Sequence, residues 1–420
     1  MTHQIEIVAT VIFSLAVLHT FSVKWFRHFA HKYKVGSIGY NLLHLLGEVE
    51  VVFGIWAGVL IIFLILFEGK DLAISHIESS DFTEPLFVFT IMAMASTRPV
   101  IDLTNKIIST VGYILPLKKN LSFYFVTLTV GPILGSFITE PAAMAVTALI
   151  LKDRYFEENQ SQNFKYATLA ILLVNVSIGG VLTPYAAPPV LMVAKTWGWD
   201  LPFMLSHFGG RAFLAVLMNA GLSTIFFRKQ ILTIKDKILS NQSRSPFALQ
   251  LLHVVFLIFV VVTAHHPTIF IGIFLFFLGM TAITEKHQDD VRLKESLLVG
   301  FFLAGLVVLG SFQRWWLEPL ISSLGSTSMF LGTTALTSIT DNAALTFLGA
   351  QIPNLHDALK YALVAGAVCG GGLTVIANAP NPAGFAILRE KFGTDGISPG
   401  KLFLAALIPT LISMACFWFL

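Results

Sequence analysis

Only two cysteines, Cys369 and Cys416, occur in 420 residues, and both fall within apolar stretches. That excludes a disulfide framework or a cysteine metal cluster and assigns both thiols to packing. Charge is scarce too: Asp, Glu, Lys and Arg make up 12% of the chain, against 55% hydrophobic residues and a mean hydropathy of +0.77. A soluble domain rarely hides so much apolar surface, so a lipid bilayer is the expected solvent. No H-E-x-x-H or Cys/His ligand spacing is present, which argues against an intramembrane metalloenzyme and gives no reason to expect a cofactor. The net charge of +3 comes from scattered loops rather than a basic face, which excludes nucleic acid as a partner.

Long apolar runs are abundant. Residues 5–23, 47–67, 247–264 and 402–420 are each long enough, at 1.5 Å per residue, to cross a hydrocarbon core of roughly 30 Å. The whole chain reads as an all-α polytopic membrane protein with about ten crossings. Residues 1–21 have no basic leading region and no small-residue cleavage pattern, so they read as a retained helix. Lys24, Arg27, Lys32 and Lys34 follow the first run, whereas Glu68, Asp71, Glu78, Asp81 and Glu84, with only Lys70, follow the second. The positive-inside rule then puts the first loop in the cytoplasm, together with Lys118, Lys119, Lys152, Arg154, Arg228, Lys229, Lys235, Lys237 and Arg244. Because Lys118 and Lys152 share a side, residues 120–151 must enter and leave there, as a re-entrant hairpin. Residues 326–352, free of Lys and Arg, form a similar segment expected to dip from the outside, and both termini are expected outside.

Two ordered matches relate the halves. Ile138-Thr139-Glu140-Pro141-Ala142-Ala143 aligns with Ile339-Thr340-Asp341-Asn342-Ala343-Ala344, identical at four positions and acid for acid at a fifth. Downstream, G-G-x-L-T-x-x-A-x-x-P starts at both Gly179-Gly180 and Gly370-Gly371 and ends at Pro189 and Pro380. With the hairpins entering from opposite faces, the halves are inverted repeats, an arrangement that suggests alternating access. The expected organisation is a two-helix segment over 1–84, repeat 1 over 85–228, connecting helices over 229–294 and repeat 2 over 295–420. Gly179, Gly180, Pro188 and Pro189, and Gly370, Gly371, Pro380 and Pro382, are the expected hinges of two broken helices near 165–195 and 361–391.

At these residues the chain resembles the ion transporter superfamily, which includes sodium/proton antiporters, sodium-coupled dicarboxylate carriers and arsenite permeases. The resemblance spans residues 85–420. It implies hairpin tips meeting near the midplane, cation sites at each tip and its following broken helix, homodimers, and interfacial helices near 98–117 and 312–325. Dicarboxylate carriers place Ser-Asn-Thr at both tips, and this chain departs from that with Thr139-Glu140-Pro141 and Thr340-Asp341-Asn342. The expected activity is therefore Na+/H+ antiport in a bacterial inner membrane, with sodium-coupled carboxylate uptake as the alternative.

A carboxylate near the bilayer centre costs several kcal/mol unless it is paired, hydrated or protonated, so Glu140 and Asp341 are the leading candidates for exchanging proton and cation. Thr139, Thr183, Thr340, Asn342, Thr374, Asn378 and Asn381 are placed to complete an oxygen shell for Na+. The competing reading is that either acid merely caps a half-helix. Asn342 adds a second oxygen beside Asp341 while Pro141 adds none beside Glu140, so Asp341 is expected to be the less tolerant of the two. Glu48 and Glu50, near a helix start, read as surface or interface groups.

Overall fold

The computed structural model describes residues 3–156, 160–234, 245–393 and 396–420, and these contain helices and no strand. Among them, seven helices are long and apolar enough to cross a membrane, or eight if the bent pair Thr83–Ala95 and Arg98–Ile114 is one span. Phe247–Val262 and Pro267–Ile283 are shorter apolar helices. Large apolar side chains such as Phe226, Ile283 and Phe419 lie more than four-fifths exposed on the outside of the bundle. Water would penalise that surface, whereas hydrocarbon does not.

The 69° bend arises where the chain leaves helical geometry at Ser96 and Thr97 and restarts with Pro99, which lacks a backbone donor, in the first turn. Arg98–Ile114 then buries one stripe, Val100, Thr104, Ile108 and Gly112. Its four-residue spacing is the face of a helix, and the stripe rests on Lys119–Ile138, where Ser122 Oγ donates to Gly112 O at 2.6 Å.

Lys119–Ile138 and Glu140–Arg154 form a tight hairpin. Small residues allow the approach: a Cβ on Gly131 would lie 2.5 Å from Thr147 Oγ1, and one on Gly135 would lie 3.1 Å from the Ala143 Cβ. The following helix runs from Gln162 to Gly179, tightens through Gly180–Leu182 and resumes at Pro188–Trp197. The second half repeats this order. Ser326–Thr337 and Asn342–Ala350 form a hairpin, Asp357–Gly370 follows, and the chain stays irregular until Asn381–Arg389. The broken helices are thus interrupted where Gly and Pro cluster, with ends a few residues from the expected bounds.

The two broken helices cross in direct contact. Ser177 Oγ donates to Val368 O at 2.8 Å, and a Cβ on Gly372 would lie 2.3 Å from the Val174 Cα. Contacts in the loops and toward the helix ends fall into two groups. One joins Arg27 to Glu48, Arg98 to Asp289, Asn120 to Ile234 O and Lys152 to Glu390. The other joins Asp81 to Lys195, His76 to Val308 O, Thr10 to Trp315 and Tyr361 to Phe417 O.

Candidate cation and proton site

The first hairpin turns at Thr139, whose φ of 76° and ψ of 150° lie in a region that L-residues rarely occupy. Backbone strain of this kind costs about 1–3 kcal/mol and persists only where the surroundings over-determine it. Those surroundings are identifiable. Ser136 Oγ donates to Gly179 O at 2.7 Å and accepts from Leu182 N at 2.9 Å, while Thr183 Oγ1 donates to Ser136 O at 2.6 Å. The hairpin tip is thereby clasped to the break in its own half, with Gly179 so close that a Cβ would lie 2.9 Å from the Pro132 backbone.

This clasp holds Glu140 completely buried. One carboxylate oxygen, Oε2, accepts from Asn378 Nδ2 at 2.7 Å, and the other, Oε1, has no hydrogen-bond partner. The side chain lies flat against Gly180, where a Cβ would come within 2.5 Å of both Cγ and Oε1. Asn378 belongs to the second break, so this bond joins the two halves of the molecule.

The second tip keeps only one bond of that clasp, shifted by one residue, since Thr337, the counterpart of Ser136, turns its hydroxyl to Thr333 O at 2.7 Å in its own helix. Thr374 Oγ1 donates to Ser338 O at 2.8 Å, as Thr183 does to Ser136 O but one residue nearer the tip. Asp341 Oδ1 accepts from Ala343 N at 2.8 Å and Ala344 N at 3.3 Å, so this carboxylate caps Asn342–Ala350. Thr340 stays local, its hydroxyl donating to Asp341 O at 3.3 Å. Asn342 N donates to Ala377 O at 3.0 Å, and Asn381 Nδ2 donates to Gly371 O and Thr374 O at 2.7 and 2.8 Å. Asn342 Nδ2 lies beside Gly371, 2.9 Å from where a Cβ would sit. Gly370 admits the hairpin in the same way, since a Cβ there would lie 2.6 Å from Thr334 O. Pro188 and Pro189 open one resumed half-helix, and Pro380 and Pro382 flank the start of the other.

The second break, between Gly370 and Asn381, therefore gathers Glu140 from one tip, Asn342 from the other, and Asn378 and Asn381 of its own. Five oxygens of the two tips and the second break are buried and unpartnered, Thr139 Oγ1, Glu140 Oε1, Asn342 Oδ1, Asn378 Oδ1 and Asn381 Oδ1, and so is Asn342 Nδ2. Each such atom costs about 1–3 kcal/mol if nothing answers it. Neutral and carboxylate oxygens without nitrogen or sulfur ligands are the donor set of a hard cation. Among the described residues no group of three or more His, Cys, Asp or Glu is arranged to hold a metal ion. The family model described as putative Na+/H+ antiporter matches residues 4–420. The chain belongs to that family. No curated protein matches it significantly.

Membership makes the chain a transporter and not an enzyme, and it makes the apolar helices those of an integral membrane protein. Two residues near the tips are not among the sequence-based site candidates. Ser136, with both of its bonds made across the hairpin and the break, has Thr337 as its counterpart in the aligned repeat, a position that could have been read from the match. Glu50 lines a cavity together with Asp341 and Asn378, a meeting across most of the chain that no local pattern signals.

Proposed function

We propose that the chain exchanges Na+ for H+ by alternating access, with Glu140 as the group that binds one or the other. The observation that carries this is the pairing of a fully buried, half-partnered carboxylate with orphaned amide and hydroxyl oxygens at the crossing of two broken helices. Without a proton or a cation, Glu140 would hold an unpaired charge away from water, at a cost of several kcal/mol. Either species neutralises it and both cannot, so binding one expels the other. Asn378 suits both states. Its amide donates to the carboxylate, and turned over it offers Oδ1 to a protonated acid.

In this reading the halves 85–228 and 295–420 are inverted repeats, residues 1–84 and 229–294 frame them, and the bundle makes about ten crossings of a bacterial inner membrane as a homodimer. Support comes from the loop contacts, because each joins groups that the charge pattern assigns to one side, such as Arg98 with Asp289 and Asp81 with Lys195. The cavities support one-sided access. Neither large cavity is lined by a tip acid, but the one of about 610 Å³ bordered by Arg292 and Lys294 reaches Pro141, Ala142, Ala379 and Pro380, whereas the one of about 490 Å³ bordered by Asp81 and Lys195 reaches none of these.

The test is sodium-driven proton movement in proteoliposomes containing a pH dye. The unaltered protein should respond to Na+, Glu140→Gln should abolish the response, and Asp71→Asn, a change in the short polar helix Lys70–Ser79, should preserve it. Wild-type rates in Glu140→Gln would overturn the mechanism, and sodium-dependent accumulation of a labelled dicarboxylate would replace the activity with anion uptake.

A further inference from the structure

Glu50 stands in the first turn of Val49–Phe67, outside both matched segments. An acid there is favoured by the helix dipole alone, so its position on the helix carries nothing. Its surroundings carry more. Glu50 lines the 610 Å³ vestibule and also a second cavity of about 30 Å³, whose other polar walls are Asp341 and Asn378. Val299, Ala379 and Pro382 belong to both cavities, so the small one opens off the vestibule at Glu50. Its remaining walls, Phe302, Val375 and Ile376, are apolar.

A volume of about 30 Å³ is that of one water molecule or one partly dehydrated cation. Asp341 has committed Oδ1 to its helix cap, and among the described residues Oδ2 has no bond. Asn378 is 1% exposed, donates to Glu140, and has no partner for Oδ1. Among the described residues no side chain pairs with the Glu50 carboxylate. Its neighbour Glu48 is taken by Arg27 at 2.7 Å and His44 at 3.4 Å, and the other charged groups on the vestibule wall are Arg292, Lys294 and Glu295. Two carboxylates across an apolar void repel each other unless a positive charge lies between them. A capping role for Glu50 would leave both that repulsion and the orphaned Asn378 oxygen without an answer.

The geometry points to Glu50 as the entry carboxylate of the transport path, taking a monovalent cation from the vestibule and passing it across the small cavity to Asp341 and Asn378, and so to Glu140. No covalent bond changes in this step. The ion exchanges vestibule water for carboxylate and amide oxygen. The assignment rests on ion exchange at Glu140 but concerns only one face of the membrane.

The experiment compares Glu50→Gln, Glu50→Asp and Glu140→Gln in vesicles of both orientations, measuring sodium-driven proton flux and, separately, exchange of radioactive for unlabelled Na+. For Glu50→Gln the KM for Na+ added on the vestibule face should rise about tenfold while kcat and the opposite-face KM stay within about twofold. Glu50→Asp should recover most of the affinity, since it restores the charge. An unchanged KM on the vestibule face, an equal change on both faces, or loss of all turnover in a normally folded Glu50→Gln protein would each overturn the assignment. Should the unaltered protein exchange Na+ without moving protons, the antiport reading fails, while the one-sided Na+ effect still decides the role of Glu50.

Discussion

A methyl group at Gly180 tests the site without altering any charge. Gly180 has φ −77° and ψ −7°, a right-handed conformation that alanine adopts freely, so Gly180→Ala brings no backbone penalty. The methyl would stand 2.5 Å from Glu140 Cγ and Oε1 and 2.9 Å from Cδ, where ordinary contacts are about 3.5–4.0 Å. The overlap of about 1 Å involves the root of the Glu140 side chain, so swinging the carboxylate tip away cannot relieve it. Either the carboxylate or the backbone at the crossing must shift, and overpacking of this kind costs about 1–3 kcal/mol. Since Asn378 holds the far side of the carboxylate, the shift moves Oε1 relative to the other orphaned oxygens, and a misplacement of about 1 Å can cost about 100-fold in rate. Gly180→Ala should therefore lower sodium-driven proton flux in proteoliposomes by about 10- to 100-fold. Gly279→Ala, on an exposed helix face with nothing within 4 Å of the added methyl, should leave flux unchanged. Wild-type flux and Na+ affinity in Gly180→Ala would refute the placement of Glu140 against the break.

Ser136→Ala removes the acceptor of Leu182 N and the donor to Gly179 O together, and should destabilise the protein by about 2–4 kcal/mol in detergent unfolding, with a loss below about 0.5 kcal/mol contradicting the clasp. At the molecule's edge, burial pushes the Asp81 carboxyl up, but hydrogen bonds from Lys195 and Thr83 and the Lys195 charge together outweigh it and hold Asp81 below its ordinary value. Because the folded value is the lower one, the pair's stabilisation is present above the ordinary Asp value of about 3.9 and fades as pH falls through the depressed one. Asp81→Asn should cost less than about 1 kcal/mol at pH 7, this being an exposed pair, and should flatten that acid limb of the melting profile.

The breaks were legible because their signal is covalent. Proline lacks a donor and glycine lacks a Cβ, and the clusters at Gly179 to Pro189 and Gly370 to Pro382 interrupt helices in the structure where they do in the sequence. The kinship of Glu140 and Asp341 was legible in the same local way. Their different surroundings were not. At the second tip Asp341, with an extended backbone at φ −71° and ψ 139°, turns its carboxylate onto the N–H groups of Ala343 and Ala344. At the first, Glu140 has already entered the helix, Pro141 removes one N–H, and the longer side chain turns away toward Asn378. The expectation that Asp341 is the less tolerant acid rested on the oxygen of Asn342, and the burial of Glu140 now favours the opposite order. Glu50 reads from the sequence as a surface or interface group because Asp341, which shares its cavity, lies 291 residues further along, and a first-turn acid has an adequate local explanation.

That difference between the acids bears on how exchange could drive movement. The hydrogen bonds of Asp341 stay within its own hairpin, so a change in its charge is felt first by Asn342–Ala350. The one bond of Glu140 spans 238 residues and joins the first hairpin to the second break. In the proposed exchange, a proton on Glu140 would weaken the charge-assisted bond from Asn378, and a cation on Oε1 would draw Asn378 Oδ1 and Asn381 Oδ1 inward as further ligands. Glu140 is otherwise held on its own side by the Ser136 and Thr183 clasp, which does not titrate, so the first tip and its break respond as one body. On that proposal, the contact that would change with occupancy is the one between the halves. For alternating access to follow, ion identity must be read at an interface and not inside a rigid unit. Glu140, rather than its sequence counterpart Asp341, occupies such an interface.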